Sequence, residues 1–338
     1  QRIMTLLDRQ ARPLRDLRIS ITDRCNFRCT YCMPKEHFGS DHAFLPRADL
    51  LTYEEIVTVV ESLLPAGLEK VRLTGGEPLL RSDVAVLVSL LKAAGPRLDL
   101  ALTTNGSLLS KHAEGLANAG LNRVTVSLDA LNPTTFAAMA DTTKTKPTDV
   151  LEGIDAALKA GLGVKVNTVV RRGVNEDEIL PLAEACAQRG VPLRFVEFMD
   201  VGNTNAWEMA EVVSGAEVRE RIEQRFGSLT PHQRQGVHEV ARRFTTDAGQ
   251  EFGFINSVTQ PFCGDCSRAR LSANGSLYTC LFSSSGNDLK AMLRMEATTD
   301  DIHDAIKRVW TDRNDRYSME RHEQQGSTPK VEMSFIGG

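Results

Sequence analysis

Six short runs rich in Val, Ile and Leu recur along the first two hundred residues, each bounded by polar or Gly-rich turns. Segments of helical periodicity usually follow them. Strands are expected at 17–22, 70–74, 99–104, 123–127, 164–170 and 193–199, and helices at 52–64, 83–94, 110–118, 149–160 and 177–188. Near-continuous apolar strands alternating with helices predict a parallel sheet buried on both faces, an α/β architecture. Gly67, Gly95, Gly120, Gly161 and Gly190 stand where a helix end favours a left-handed residue. Six units are fewer than a full eight-fold barrel needs, which leaves an incomplete barrel or an open sheet.

After about residue 200 the pattern changes. One amphipathic helix is expected at 215–226, then strand-like pieces at 239–245, 252–258 and 268–272. Asn274-Gly275 is a hairpin turn between 269–273 and 276–281, and a polar helix covers 301–313. The chain's 338 residues therefore divide into 1–200, carrying the βα units, and 201–338, an α+β region. Lys plus Arg number 40 against 44 Asp plus Glu, a net charge of −4. That excludes a globally basic nucleic-acid binder but not a local basic patch. No apolar run reaches the roughly 18 residues of a membrane span, and the opening residues lack the apolar core of a secretory signal. The expectation is a cytoplasmic protein that engages neither membrane nor nucleic acid.

The seven cysteines are unevenly placed. Cys25, Cys29 and Cys32 form a C-x3-C-x2-C run just after the first strand. Cys263 and Cys266 form C-x2-C, and Cys280 follows after thirteen intervening residues. Cys186 stands alone in an expected helix and reads as a small buried apolar residue. Clustering of this kind in a cytosolic chain points to metal or redox chemistry. Each triplet could serve zinc, but structural zinc sites are usually closed by a fourth ligand at knuckle spacing, and none is present. Three thiolates on a cubic iron–sulfur cluster leave one iron open.

Basic residues fall inside the strands. Arg18, Arg72, Lys165 and Arg194 alternate with apolar neighbours, and Lys70 opens the second strand. Arg268 and Arg270 flank Ala269 and share one strand face. Such cations require partners, because unpaired buried charge is costly. They predict either a polyanionic ligand or internal ion pairs with Asp129, Glu197 or Glu77. The arginine pair alone would also suit a solvated basic edge.

The first triplet, with Tyr31 before its last cysteine, resembles the signature of the radical S-adenosylmethionine (SAM) superfamily. The run Arg72-Leu73-Thr74-Gly75-Gly76-Glu77-Pro78 resembles the Gly-Gly-Glu-Pro motif of the same superfamily; in isolation it would suit any strand-end turn. The resemblance implies an incomplete (β/α)6 barrel, closed by the C-terminal α+β extension. It implies a [4Fe-4S] cluster on Cys25, Cys29 and Cys32, whose open iron is chelated by SAM. Electron transfer then cleaves SAM to a 5′-deoxyadenosyl radical; the cofactor does the difficult chemistry and the protein positions it. Tyr31, Gly75, Gly76, Glu77, Ser127 and Met199 are implied to line the SAM site, the glycines by letting backbone approach the ligand and Glu77 by receiving its ammonium.

Over nearly the whole length the resemblance narrows to the branch of that superfamily acting in molybdenum cofactor biosynthesis. The segments are Arg15-Asp16-Leu17-Arg18-Ile19-Ser20, Thr22-Asp23-Arg24-Cys25, Cys32-Met33-Pro34, Glu197-Phe198-Met199, the second triplet with Arg268 and Arg270, and Ile336-Gly337-Gly338. This implies GTP as substrate and (8S)-3′,8-cyclo-7,8-dihydroguanosine 5′-triphosphate as product. It implies a second [4Fe-4S] cluster on Cys263, Cys266 and Cys280, facing the guanine end. Arg18, Lys70, Arg72, Thr103, Lys165, Arg194, Arg268, Ala269 and Arg270 are implied to hold GTP, Arg268 and Arg270 with a catalytic role, and the glycine tail to reach the active site. A flavodoxin- or ferredoxin-type reductant, a downstream cyclic pyranopterin monophosphate synthase and a homodimer are the partners it suggests. Two alternatives stay open on the residues: a radical-SAM enzyme that modifies a peptide through a relay cluster, and a zinc-binding adaptor.

Overall fold

The computed structural model describes residues 5–233, 239–324 and 329–338. The first half alternates strand and helix in chain order: β1 Asp16–Ser20, α1 Tyr53–Leu63, β2 Lys70–Thr74, α2 Val84–Ala94, β3 Asp99–Thr104, α3 Leu109–Asn118 and β4 Arg123–Ser127. It continues with α4 Pro133–Ala140, α5 Pro147–Lys159, β5 Gly163–Val170, α6 Ile179–Gln188 and β6 Leu193–Glu197. Then come α7 Gly215–Phe226, β7 Thr230–Pro231, β8 Arg242–Thr245, β9 Glu251–Ile255, β10 Arg268–Leu271, β11 Ser276–Tyr278 and β12 Asn287–Asp288. Helices α8 Lys290–Arg294, α9 Thr299–Asp312, α10 Arg321–Gln324 and α11 Met333–Ile336 follow.

All twelve strands form one mixed sheet in the order β12-β11-β10-β1-β2-β3-β4-β5-β6-β9-β8-β7. Strands β1 to β6 are parallel to one another, as the alternation predicts. The C-terminal region extends the same sheet at both edges: β10 lies parallel beside β1, and β9 parallel beside β6. The outer pairs are antiparallel, with β10–β11 turning at Asn274-Gly275 as expected. Among the described residues the two end strands, β12 and β7, do not pair with each other.

Alternation within the strands separates core from cavity. In β5, Val164, Val166 and Val170 are buried in the hydrophobic core, while Lys165, Asn167 and Val169 face the other way. Strand β1 does the same with Leu17 and Ile19 against Asp16 and Arg18. A period-two pattern with polar residues on one face of a parallel sheet is unusual unless that face lines a site. Helix starts are sealed locally: Thr52 and Glu55 form a capping box on α1, Ser214 and Glu217 on α7, and Thr298 and Asp301 on α9.

The structure differs from the sequence expectation in several details. Helix α4 was not expected, although Asn132 caps it and Pro133 sits at its first position. Strand β6 ends at Glu197, so Met199 lies two residues beyond it. Gly95 ends α2 at φ −134°, outside the left-handed region, whereas Gly120, Gly161 and Gly190 have φ of 99°, 81° and 63°.

Candidate active site

A cavity of about 650 Å³ opens on the polar face of the sheet. All six clustered cysteines line it, as do Arg18, Lys70, Arg72, Thr103, Lys165, Arg194, Arg268 and Arg270. Tyr31, Gly75, Gly76, Ser127 and Met199 line it too. Two expected residues do not. The side chain of Ala269 turns to the hydrophobic core, as alternation between Arg268 and Arg270 requires, so only its main chain could meet a ligand. Glu77 is fully buried outside the cavity lining.

The first triplet lies on the loop after β1. Helix α4 holds that loop by its last turn, where the carbonyls of Met139 and Ala140 accept from the amides of Thr30 and Arg28 at 3.0 Å each. Phe27 packs edge-on against Phe136 of the same helix. The Gly75-Gly76 turn supports the loop from the other side. Gly76 N donates to Thr22 O at 2.8 Å and Glu77 N to Arg24 O at 2.8 Å. A Cβ on Gly76 would stand 2.2 Å from Arg24 O, and one on Gly75 (φ +142°) 2.3 Å from Thr22 O. These glycines therefore serve close approach to the cysteine loop's own backbone, not only to a ligand. Glu77 ties this turn to the next strand. Its carboxylate accepts from Leu79 N, Thr104 Oγ1 and Asn105 N at 3.0, 2.8 and 2.7 Å. Burial pushes that carboxyl up to about 7. These three bonds make Glu77 the brace between the turn and β3.

Tyr31 donates to Asp129 Oδ2 at 2.7 Å, and Asp129 Oδ1 accepts from Val169 N. Burial raises the Cys25 thiol to about 11 and carries Cys29 and Cys32 upward as well. Thiols so placed ionise readily only when a metal centre takes the thiolate. The second triplet differs. Burial pushes the Cys266 thiol up, but the guanidiniums of Arg268 and Arg313 outweigh it and bring it down to about 6. Arg268 Nη2 donates to Cys266 Sγ at 3.3 Å. Cys280 is raised by burial to about 12.

Among the described residues no group of three or more His, Cys, Asp or Glu side chains is arranged to hold a single metal ion. A cubic iron–sulfur cluster makes a different demand, since each thiolate binds a different iron. Two all-thiolate donor sets of three, each partly exposed to one cavity, fit that group by their chemistry.

Between the triplets the register sets cations in rows. Asp16 pairs with Arg268 on one side and Lys70 on the other, so one carboxylate separates two cations, with Lys70 Nζ 3.5 Å from Asp16. One row up, Arg270, Arg18 and Arg72 face one another across β10, β1 and β2 with no carboxylate between them. Like charges so placed repel, and their burial adds a desolvation cost. Arg72 Nη1 donates to Thr103 and Thr125 at 2.9 and 3.0 Å. Among the described residues the buried Nε atoms of Arg18, Arg72 and Arg194 find no acceptor. Burial and neighbouring cations lower Arg18 to about 9, Arg72 to about 10 and Lys165 to about 8. Burial brings Lys70 down to about 7 despite Asp16.

Apart from the Lys70–Asp16 pair, the carboxylates expected as internal partners are committed elsewhere among the described residues. Asp129 is held as described, and Glu197 accepts from the amides of Gly215, Val258 and Thr259 and from the Thr259 hydroxyl. The Gly-Gly end does reach the cavity: Gly338 lines it, and Arg270 donates to the Gly337 carbonyl. Sequence reasoning missed Asp16, Arg123 and Thr125 as cavity residues, although Asp16 and Thr125 share strand parity with Arg18 and Thr103. Arg12 and Arg313 also line the cavity and carry no local signal.

The pattern that defines the radical SAM superfamily matches residues 19–186, and that of Molybdenum Cofactor Synthesis C matches residues 191–319. A GTP 3′,8-cyclase of Acidothermus cellulolyticus is 48% identical over 359 residues, spanning 98% of each chain. One of Staphylococcus aureus is 45% identical over 336 residues, again spanning 98% of each. Among solved structures, Streptococcus suis SuiB bound to S-adenosylmethionine superposes with a TM-score of 0.61 at 14% identity, covering 88% of this chain and 68% of that one. Two matched regions meet near residue 190, and the relatives align from end to end. This chain belongs to the radical SAM superfamily and, within it, to the GTP 3′,8-cyclase family.

Proposed function

We propose that the chain is a GTP 3′,8-cyclase, which converts GTP to (8S)-3′,8-cyclo-7,8-dihydroguanosine 5′-triphosphate at the start of molybdenum cofactor biosynthesis. The observation that carries the reading is the row Arg270–Arg18–Arg72, two buried guanidiniums flanking a half-buried one with no carboxylate between them among the described residues, set in one cavity with both thiolate triplets. A triphosphate supplies the missing negative charge and matches guanidinium geometry. Lys70, Lys165 and Arg194 extend the same face, and Thr103 orients Arg72.

Cys25, Cys29 and Cys32 would hold a [4Fe-4S] cluster, which with bound SAM supplies the 5′-deoxyadenosyl radical. Tyr31, Gly76, Ser127 and Met199 line that side of the cavity and would seat SAM. Cys263, Cys266 and Cys280 would hold a second [4Fe-4S] cluster at the guanine end. The chain's own work is positional. The cations fix the triphosphate, the two triplets set the ends of the cavity, and the ribose is thereby presented to one reactant only. The Gly337 carbonyl occupies one arm of Arg270, so the tail helps to shape the same wall.

On this reading the sheet curls into an incomplete barrel around the cavity. Residues 1–200 carry the SAM half and 201–338 the auxiliary half, and β9 and β10 bring the latter to both edges. A flavodoxin- or ferredoxin-type protein would deliver electrons, a cyclic pyranopterin monophosphate synthase would take the product, and the reduced thiols suit the cytoplasm. Among the described residues no helix is long and apolar enough to cross a membrane.

The test is anaerobic turnover with SAM, a chemical reductant and GTP. The expected result is a cyclised product of the same elemental composition as GTP, with 5′-deoxyadenosine and methionine formed alongside. GTP recovered unchanged while a peptide is modified would overturn it.

A further inference from the structure

The second triplet sits on a buried polar frame that the proposed reaction does not use. Asp8 lies before β1 with a side chain of 0% exposure, and its Oδ2 accepts from Arg12 Nε at 2.6 Å and Arg313 Nη1 at 3.3 Å. Its Oδ1 accepts from the amides of Gln10 and Arg12 at 2.9 Å each. The two guanidiniums then reach the cysteine turn. Arg12 Nη1 donates to Cys263 O at 2.9 Å, and Arg313 Nη1 donates to Cys266 O at 2.7 Å. Both also bind Asp315, Arg12 through its carbonyl at 2.9 Å and Arg313 through its carboxylate at 3.1 Å. Asp315 Oδ2 in turn accepts from the hydroxyl of Thr279, the neighbour of Cys280, at 2.6 Å. One frame thus touches both arms of the triplet.

The side chains of Arg12 and Arg313 are only 2% and 1% exposed. The Arg313 guanidinium stacks 4.5 Å over Trp310, whose indole donates to Arg12 O at 3.1 Å. Buried ion networks of this kind add little net stability over apolar packing, because desolvation offsets their attraction. What a rigid guanidinium fork does well is fix carbonyl orientation. Fixing the peptides of Cys263 and Cys266 fixes the directions in which their Sγ atoms leave the backbone. Among the described residues the buried Arg12 Nη2 finds no acceptor, and Arg12 lines the cavity.

We propose that Asp8, Arg12 and Arg313 are positioning residues for the second cysteine triplet, clamping the Cys263–Cys266 turn by its carbonyls and holding Cys280 in the same frame through Asp315 and Thr279. The proposal rests on the reading that this triplet holds an iron–sulfur cluster. Their role is to hold three thiolates in the arrangement that retains the cluster.

The experiment uses the full chain with Cys25, Cys29 and Cys32 replaced by Ala, so that only the second site can load. After anaerobic reconstitution, iron and sulfide per chain, the electron paramagnetic resonance spectrum and the rate of iron loss to an iron(II) chelator are measured. Arg12→Lys keeps the charge beside Asp8 but shortens the fork, and Thr279→Val, nearly isosteric, cuts only the link to Cys280. Thermal unfolding of each metal-free chain controls for folding. The expected result is iron loss about tenfold or more faster in both variants, altered spectra, and metal-free unfolding temperatures unchanged from the parent. Unchanged loss rates and spectra overturn the proposal. So does faster loss matched by an equal fall in metal-free stability, since that marks a merely structural role. A parent that binds no iron at all removes the cluster reading first, before any clamp variant is compared, and the proposal with it.

Discussion

Arg18 is half-buried beside the buried Arg72 and Arg270 and has no carboxylate at ion-pair distance among the described residues. A charge-assisted hydrogen bond to phosphate contributes about 1.5–3 kcal/mol, so Arg18→Gln is expected to weaken GTP binding roughly ten- to hundredfold. Calorimetric titration with GTP checks this, and an unchanged affinity would contradict it. The lysines give a pH signature. Free Lys70 and Lys165 are held down to about 7 and about 8, chiefly by burial. A bound polyanion raises both, so binding takes up protons above the free values. Affinity is therefore expected to be fullest below about pH 7 and to fall as pH rises through 7–9, with part of the slope lost in Lys165→Met. Titrations at pH 8 in buffers of different ionisation enthalpy read the uptake directly; no uptake would contradict the assignment. Strand parity made these cations legible from sequence, because alternation with Val and Leu assigns a face without tertiary information. The fate of Glu77 was not legible: the donors that consume its carboxylate include Thr104 and Asn105, which only the pairing of adjacent strands brings to it.

At the level of elements, the first triplet depends on two supports, the Gly75-Gly76 turn and helix α4. The Gly75-Gly76 turn abuts Thr22–Arg24, and a methyl on Gly76 would stand 2.2 Å from the Arg24 backbone oxygen, which Glu77 N already engages at 2.8 Å. Gly76→Ala is expected to lower iron content by about half, through loss of the first of two cubic clusters, while the second remains. Iron analysis with the spectrum of the remaining cluster checks it. The glycine tail offers a parallel case. Gly337 has φ +78°, and a Cβ there would lie 2.3 Å from Thr74 Cγ2. A left-handed residue with a side chain costs about 1–2 kcal/mol before any clash, so Gly337→Ala is expected to displace the tail and slow cyclisation about tenfold or more. The melting temperature should fall only slightly, since Ile336 is the one buried apolar residue of the described tail; a fall in melting temperature large enough to account for the loss of rate would contradict this. Helix α4, the other support, went unread despite its Asn132-Pro133 start, because eight residues carry too little periodicity to stand out.

For the whole molecule, a net charge of −4 conceals a cavity whose polar face is strongly cationic. The βα repeat and both triplets could be read directly, since periodicity and spacing are local. The edges could not: β9 and β10 sit more than fifty residues from β6 and far from β1 in sequence, yet join them in parallel. Parallel pairing is decided by long-range packing, which no short motif encodes. That pairing sets the two triplets on opposite ends of one cavity wall, and the central claim is that they act there as two clusters on two reactants. Electron paramagnetic resonance of the anaerobically reconstituted chain, with SAM and GTP added singly, tests it most directly. The expected result is two cubic cluster signals, one perturbed by SAM alone and the other by GTP alone. Zinc in the second triplet, or a second signal indifferent to GTP, would contradict the account.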